Sequence, residues 1–513
     1  VIDGSNTTGF QRTCVIALDG EIKVDGKEVP IQHVSLEEDA ARKMGEEGSV
    51  IRYRIDRLGI PLIEIATAPV LYSPKEAEKV ALAIGRILRA TGRVKRGLGT
   101  IRQDLNVSIP NGALIEIKGV QELELVSKVI EFEVQRQLNL LKIKDELQRR
   151  GVNEKDIEEE FVDVTPVFEK TKCRVVQKAI SNGKRVLAVL LPKFAGLLRT
   201  ELMPGVRLGT EMANRAHFWG RVGGIFHTDE LPAYGITDQE VRELREFVKA
   251  KPEDAVVFVA DSLENASDAL KAVVERAREA LYGVPEETRG ANPDGTTRYM
   301  RPRPGAARMY PETDVPPIQI SQEYLNTLRS RLPELPERRL ERLMKEYRLN
   351  EKLARQVLNS EYALLFEEIA RESGVSPTTI AAVLTETMKA LRRDGVEVDK
   401  IRDEQIKELF SFVGAGKAAK EAVPDILTWL SKHEGAPVKA AIESLGLTML
   451  SEAEIARIID DLLVENERLV KERGKAVFAM LMGLVMRKVR GRANAELVNK
   501  VLRRKLEGFV SKS

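Results

Sequence analysis

Four short segments place acids at intervals that could do chemistry. Side chains alternate along a strand. In GTIRQDLNVSI (99–109), Arg102, Asp104, Asn106 and Ser108 therefore share one face, opposite Leu105, Val107 and Ile109. In ALIEIKGV (113–120), Glu116 and Lys118 share a face, and Ile115 and Ile117 share the other. In IPLIEIATA (60–68), Glu64 stands with Leu62 and Ala66. LEEDA (36–40) adds three more acids, of which Glu38 is the candidate. Clustered carboxylates suit Mg²⁺, a hard cation that combines a few carboxylates with water and phosphate oxygens. Arg102 and Lys118, interleaved among them, suit phosphate. An antiparallel sheet with one wet face gives the same alternation with no site at all.

A second unusual segment is DGSNTTGFQRT (3–13). Its backbone amides, the hydroxyls of Ser5 and Thr7, and Arg12 suit an anion such as a nucleotide phosphate; a surface turn leading into a strand is the plainer alternative. Familiar phosphate motifs are absent. GAGKAAK (414–420) lacks the Ser or Thr and the upstream Gly of a P-loop. A third candidate lies near the end, where Arg487, Lys488, Arg490, Arg492, Lys500, Arg503, Arg504 and Lys505 face only Glu496 within the same stretch. On a chain of net charge +2 this local density is a candidate nucleic-acid footprint. With little aromatic interleaving, it suits phosphate and shape contacts to folded RNA. A solvated helical face is the alternative.

The elements that must position these groups follow from periodicity. VIALDGEIKV (15–24) reads as strand, Asp-Gly turn, strand. Ser73, Pro74 and Glu76 form the start of a helix that runs to Thr91 and stops at Gly92. A long helix covers about 121–143. The pattern restarts with strands at 186–192 and 255–261 and helices at about 238–250 and 266–281. A Gly/Pro-rich stretch (283–317) is a linker, a functional loop or a return path across another domain. Beyond Ser321 nearly everything has helical period. At 513 residues and 43% apolar composition, three or four domains are expected. Cys14 and Cys173 make no disulfide framework, and the four histidines never fall at metal-ligand spacing. The apolar run 476–486 is too short to cross a bilayer, so a soluble cytoplasmic protein with no membrane partner is expected. Charged residues at 31% with few Cys are a mix found in thermophilic proteins.

DGSNTTGFQRT, LEEDA, DRLGIPLIEIATAP, GTIRQDLNVSI and IEIKGV together resemble the GatB/GatE subunits of tRNA-dependent amidotransferases. GKAVFAMLMGLVMRKVRGRANAELVNKVLRRKL (474–506) resembles the YqeY-like end of the same family. LPKFAGLL, GTEMANRAHFWGRVGGIFHTDELPAYGITDQEV and AVVFVAD resemble the insertion domain of bacterial-type aspartyl-tRNA synthetases, which within the family marks the archaeal GatE branch. The resemblance implies an α+β multidomain protein. A cradle-like mixed α/β catalytic domain (1–184, returning over 294–322) would hold the insertion (185–293), followed by an all-α helical domain (323–396) and a YqeY-like tail (397–513). It implies a ligase that forms a carbon–nitrogen bond. ATP and Mg²⁺ would phosphorylate the side chain of glutamate on mischarged Glu-tRNA(Gln). Ammonia from an asparaginase-like GatD partner, in a heterodimer or a dimer of heterodimers, would then complete the amide of Gln-tRNA(Gln). By motif, Glu38, Glu64, Asp104 and Glu116 match metal positions, Arg102 and Lys118 flank them as catalytic groups, and Ser5, Thr7 and Arg12 would bind nucleotide. Lys475, Arg487, Lys488, Arg490 and Arg492 would contact tRNA. The family's first strand, with a Glu and a His at these metal sites, has no counterpart here, so a segment preceding Val1 is expected. The competing reading is a non-catalytic tRNA-binding adaptor of the same complex.

Overall fold

The computed structural model describes residues 13–39, 41–47, 50–95, 99–303, 318–489 and 491–510. The chain divides into two compact units, one of residues 1–84 with 101–319 and one of residues 85–100 with 320–513.

The first unit is mixed α/β. Strands β1 (Thr13–Val24), β2 (Lys27–Glu38) and β5 (Pro61–Thr67) form an antiparallel sheet in the order β1-β2-β5, and β3 (Arg42–Glu47) and β4 (Val50–Arg54) form a hairpin between β2 and β5 in sequence. The expected turn at Asp19–Gly20 is not one. The ladder runs on through it, from Leu18 opposite His33 to Gly20 opposite Ile31. The chain reverses instead at Asp25–Gly26, where both residues take positive φ, 49° and 84°. That is the geometry of a two-residue hairpin turn, and Asp-Gly is suited to it. Helix α1 (Pro74–Ala90) starts as expected, with the Glu76 amide donating to Ser73 Oγ at 3.3 Å.

A second sheet has the order β15-β14-β7-β6, built from β6 (Gln103–Val107), β7 (Ile115–Val120), β14 (Glu287–Ala291) and β15 (Thr297–Pro302). Its apolar side, with Val107, Ile115, Ile117 and Val120, packs on α2 (Leu123–Arg149) through Val126 and Val129. Part of the Gly/Pro-rich stretch is therefore the return path, since β14 pairs parallel to β7.

Between β7 and β14 lies a third sheet, β12-β13-β9-β8, of β8 (Val162–Asp163), β9 (Arg185–Leu191), β12 (Phe226–His227) and β13 (Ala255–Asp261). A small ribbon of β10 (Glu201–Met203) and β11 (Val206–Arg207) accompanies it. Helices α3 (Arg174–Ser181), α4 (Leu208–Gly220), α5 (Asp238–Phe247) and α6 (Leu263–Tyr282) complete this insertion. Its sheet begins at Val162 rather than at 185, and the cradle sheet resumes at Glu287 rather than at 294. Both expected boundaries shift for one reason. Two-residue β8 and the polar β14 belong to sheets through long-range pairing and leave almost no local pattern.

The second unit is helical, as its 3.6-residue period requires. Helices α7 (Gln322–Ser330), α8 (Pro336–Glu346), α9 (Glu351–Asn359), α10 (Ala363–Glu372), α11 (Pro377–Ala382), α12 (Met388–Arg393), α13 (Asp403–Gly414), α14 (Val423–Lys432) and α15 (Val438–Ser444) lead to α16 (Glu452–Glu465), α17 (Glu467–Arg473), α18 (Phe478–Lys488) and α19 (Ala495–Val510). One core spans Leu343 to Ile442 and another Leu450 to Leu506. The two cores meet near residue 445. No helix among the described residues is long and apolar enough to cross a membrane.

Candidate active site

Residues directly opposite each other in a ladder share a face. Glu64 lies opposite Ser35, and Glu37 opposite Leu62, so Glu37, Ser35 and Glu64 point the same way. Ser35 is buried, which makes this the inner face, whereas Leu36 and Ile63 on the other side are 40% and 51% exposed. Glu38, opposite Pro61, falls on that outer face. The register sets Glu37, rather than Glu38, beside Glu64. The two carboxyls interact directly, and burial, then the charge of Glu64, pushes the Glu37 carboxyl up from the ordinary range. Thr13 Oγ1 donates to Glu37 at 3.1 Å, and His33 Nε2 lies 3.9 Å from Glu64.

The second sheet supplies the rest. Lys118 Nζ is 2.9 Å from Asp104 Oδ2 and 2.9 Å from Glu116 Oε1. Lys118 also acts on the Glu37 carboxyl in the lowering direction, more weakly than burial or Glu64 acts to raise it. Arg102, one residue before β6, donates to Asp39 Oδ2 at 3.0 Å. Thr288 Oγ1 donates to Glu116 Oε2 at 2.9 Å. Burial raises the Glu116 pKa, but Lys118, Thr288 and the nearby Arg301 outweigh it, so the carboxyl is held below the ordinary value. Burial likewise opposes the Lys118 charge, yet Asp104 and Glu116 prevail and its pKa is raised. At neutral pH Glu116 is thus held ionised and Lys118 protonated.

Of the residues singled out in the sequence, Asp104, Glu116 and Lys118 meet in one set of ion pairs, Glu64 lies beside Glu37 on the other sheet, and Arg102 pairs with Asp39. Glu37, Asp39, His33 and Thr288 join them unforeseen. Glu37 and Asp39 lie within LEEDA, but choosing among its acids needs the register against β5; Thr288 lies 172 residues from Glu116 and had no signal. Among the described residues, no three His, Cys, Asp or Glu side chains stand ready-made around a metal position. Lys118 supplies the countercharge between Asp104 and Glu116. The carboxylates of Glu37, Glu64, Asp104 and Glu116 offer oxygen donors, the kind that Mg²⁺ prefers. Ser5, Thr7 and Arg12 lie outside the described residues.

The basic tail is less bare than its sequence. Lys488 pairs with Glu465 at 3.1 Å, Arg504 with Glu452 at 2.7 Å and Lys505 with Asp460 at 2.6 Å, all three acids on α16. The expectation that only Glu496 opposes the cluster is corrected, because the countercharges come from a neighbouring helix. Arg487 and Arg492 instead reach the main-chain oxygens of Gly483 and Thr448, and Arg503 stacks its guanidinium 4.8 Å over the Phe478 ring. Arg490 and the Lys475 side chain lie outside what the structure describes.

The family model of the GatB/GatE catalytic domain matches residues 1–326, and that of the GatB domain matches residues 364–506. The chain belongs to the GatB/GatE family, whose members are amidotransferases of the ligase class. Relatives within that family include E subunits of glutamyl-tRNA(Gln) amidotransferases. It is 51% identical over 510 residues to the one from Methanocaldococcus jannaschii, covering 99% of this chain and 80% of that protein. The counterpart from Aeropyrum pernix is 51% identical over 510 residues, with 99% and 79% covered. That from Methanococcus maripaludis is 46% identical over 508 residues, with 99% and 80% covered.

Proposed function

We propose that the chain is the kinase and amide-transfer component of a tRNA-dependent amidotransferase acting on Glu-tRNA(Gln). What supports the reading is the set of ion pairs that holds Lys118 between Asp104 and Glu116 on one sheet, with the adjacent Glu37 and Glu64 carboxyls on the other and the Arg102–Asp39 pair beside β6. A carboxylate is a poor electrophile and its acyl phosphate a good one. In the first step an oxygen of the glutamate γ-carboxylate attacks the γ-phosphorus of ATP, and ADP leaves with the electrons of the broken P–O bond. In the second, ammonia attacks the acyl carbon, loses a proton, and inorganic phosphate departs. Glu37, Glu64, Asp104 and Glu116 would hold Mg²⁺, which when bound neutralises phosphate charge. Lys118 and Arg102 bring fixed positive charge to the phosphoryl oxygens, where developing charge is best met by preorganised donors. Ammonia would come from an asparaginase-like partner, and the basic surface around Arg487, Arg492 and Arg503 would meet the tRNA phosphates.

The test is release of labelled phosphate from γ-³²P-labelled ATP by the purified complex. Release that depends on Glu-tRNA(Gln), and is absent with Gln-tRNA(Gln), is expected. Tight binding of Glu-tRNA(Gln) with no tRNA-dependent phosphate release would instead establish the adaptor reading.

A further inference from the structure

Strand β14 carries two sets of side chains with opposite surroundings. Thr288, fully buried, sits opposite Glu116 in the parallel β7–β14 ladder. Its neighbours Glu287 and Arg289, each 1% exposed, point to the other side. There Arg136 of α2 bonds Glu287 at 2.6 Å and also meets Glu133 and Glu211. Arg215 of α4 bonds Glu287 at 2.9 Å, and Arg289 reaches Glu211 at 3.2 Å. Arg289 also donates to Thr297 of β15 through both Oγ1 (2.7 Å) and the carbonyl (2.9 Å). A slip of β14 by one residue would drive these charges into the wrong face. The strand is therefore locked in register, and the Thr288 hydroxyl is locked with it, since a β-branched side chain has few rotamers to choose from.

We propose that Thr288 is the positioning residue for the Glu116 carboxylate: its hydroxyl fixes Oε2 and thereby presents Oε1 to the cation and phosphate that the site binds. The inference rests on the function proposed above. One hydroxyl proton serves one oxygen. With Oε2 committed at 2.9 Å, the remaining oxygen faces Lys118 Nζ, also at 2.9 Å, on the polar side of the sheet. Partners of this kind behind a metal-binding carboxylate commonly change metal affinity by about 10–100-fold when removed.

The experiment compares Thr288→Val, Thr288→Ser and Glu116→Gln in the intact complex. Mn²⁺ affinity is read from the electron paramagnetic resonance signal of the free ion, and the Mg²⁺ dependence of Glu-tRNA(Gln)-dependent phosphate release is read alongside it. Thr288→Val keeps the branched shape and is expected to weaken Mn²⁺ binding by about 10-fold or more. It should raise the Mg²⁺ concentration for half-maximal release in parallel. Thr288→Ser, which restores the hydroxyl, is expected to recover most of both. Wild-type Mn²⁺ affinity in Thr288→Val, with affinity lost in Glu116→Gln, would overturn the role of Thr288 and leave the proposed function standing. Equal loss in the Val and Ser variants would also overturn it, because the hydroxyl would then not be the operative group. Unchanged Mn²⁺ binding and unchanged phosphate release in Glu116→Gln would remove the proposed function and this inference together.

Discussion

Asp104→Asn separates chemistry from stability more sharply than any other change in the candidate site. Asn keeps the side-chain volume and an oxygen at the Oδ1 position, which accepts a long contact from the Gly119 amide at 3.4 Å. What is lost is the charge that faces Lys118 at 2.9 Å. Those side chains are 46% and 34% exposed, and Lys118 retains Glu116 at 2.9 Å. The stability cost of a pair so open to water is about 0–1 kcal/mol. In a unit of this size that moves Tm by no more than about 2–4 °C. The catalytic cost is of another order. A carboxylate that balances a phosphate-bound cation acts where charge develops, and removing one such term lowers the rate by about 10²-fold or more, near 2.7 kcal/mol of barrier. In the wild-type protein burial opposes the Lys118 charge, but Asp104 and then Glu116 raise its pKa, so its contribution is complete below the ordinary lysine value and is lost only as pH rises through the folded one. The assay is single-turnover phosphate release with Glu-tRNA(Gln), beside a melting curve and a tRNA-binding isotherm. A variant that melts within a few degrees of wild type and releases phosphate at the normal rate would refute the assignment of Asp104.

Two further outcomes follow from the geometry. Glu37 has a folded pKa raised by burial and then by Glu64, so its stabilising contribution is present below about pH 4.3 and lost as pH rises through the folded value; in metal-free buffer Glu37→Gln should melt about 1–3 °C above wild type at pH 7 and level with it near pH 4, and a gap of equal size at both pH values would contradict this. The double variant Arg487→Glu/Arg492→Glu should weaken tRNA binding and lower the slope of log K against log salt by about 1 per lost phosphate contact, whereas Lys488→Gln, already neutralised by Glu465, should change it less; filter binding across a salt series reads both, and equal effects would mean that the pairing with α16 does not matter.

Much of the candidate site was legible because a sheet with one wet face writes its geometry into every second residue. Asp104, Glu116 and Lys118 could be read from β6 and β7 alone. The choice between Glu37 and Glu38 could not, since it depends on which residue of β2 stands opposite Glu64, and that register is fixed by a strand some thirty residues away. Asp19–Gly20 and Asp25–Gly26 show the same limit: both have the right local chemistry, but only Asp25–Gly26 sits where the β1 and β2 partners can zip. The acids that neutralise Lys488, Arg504 and Lys505 come from α16, so a count of charges along the tail overstated its field.

The position of the insertion has a physical logic of its own. Strands β7 and β14 are parallel, and parallel neighbours require a crossover of a dozen residues or more. Here the crossover is α2 followed by the entire insertion, so enlarging it left the ladder intact. What such a long crossover threatens is register, because an apolar strand can slip by two residues and still bury one face. The ionic network behind β14 removes that freedom. Glu287 and Arg289 are matched to Arg136 on α2 and to Glu211 and Arg215 on α4. Breaking one partner of such a buried set costs on the order of 3–5 kcal/mol. Helix α4 belongs to the insertion, and Thr288, between the two matched charges, touches Glu116. The insertion is thereby joined to the placement of a carboxylate on the opposite face of the sheet.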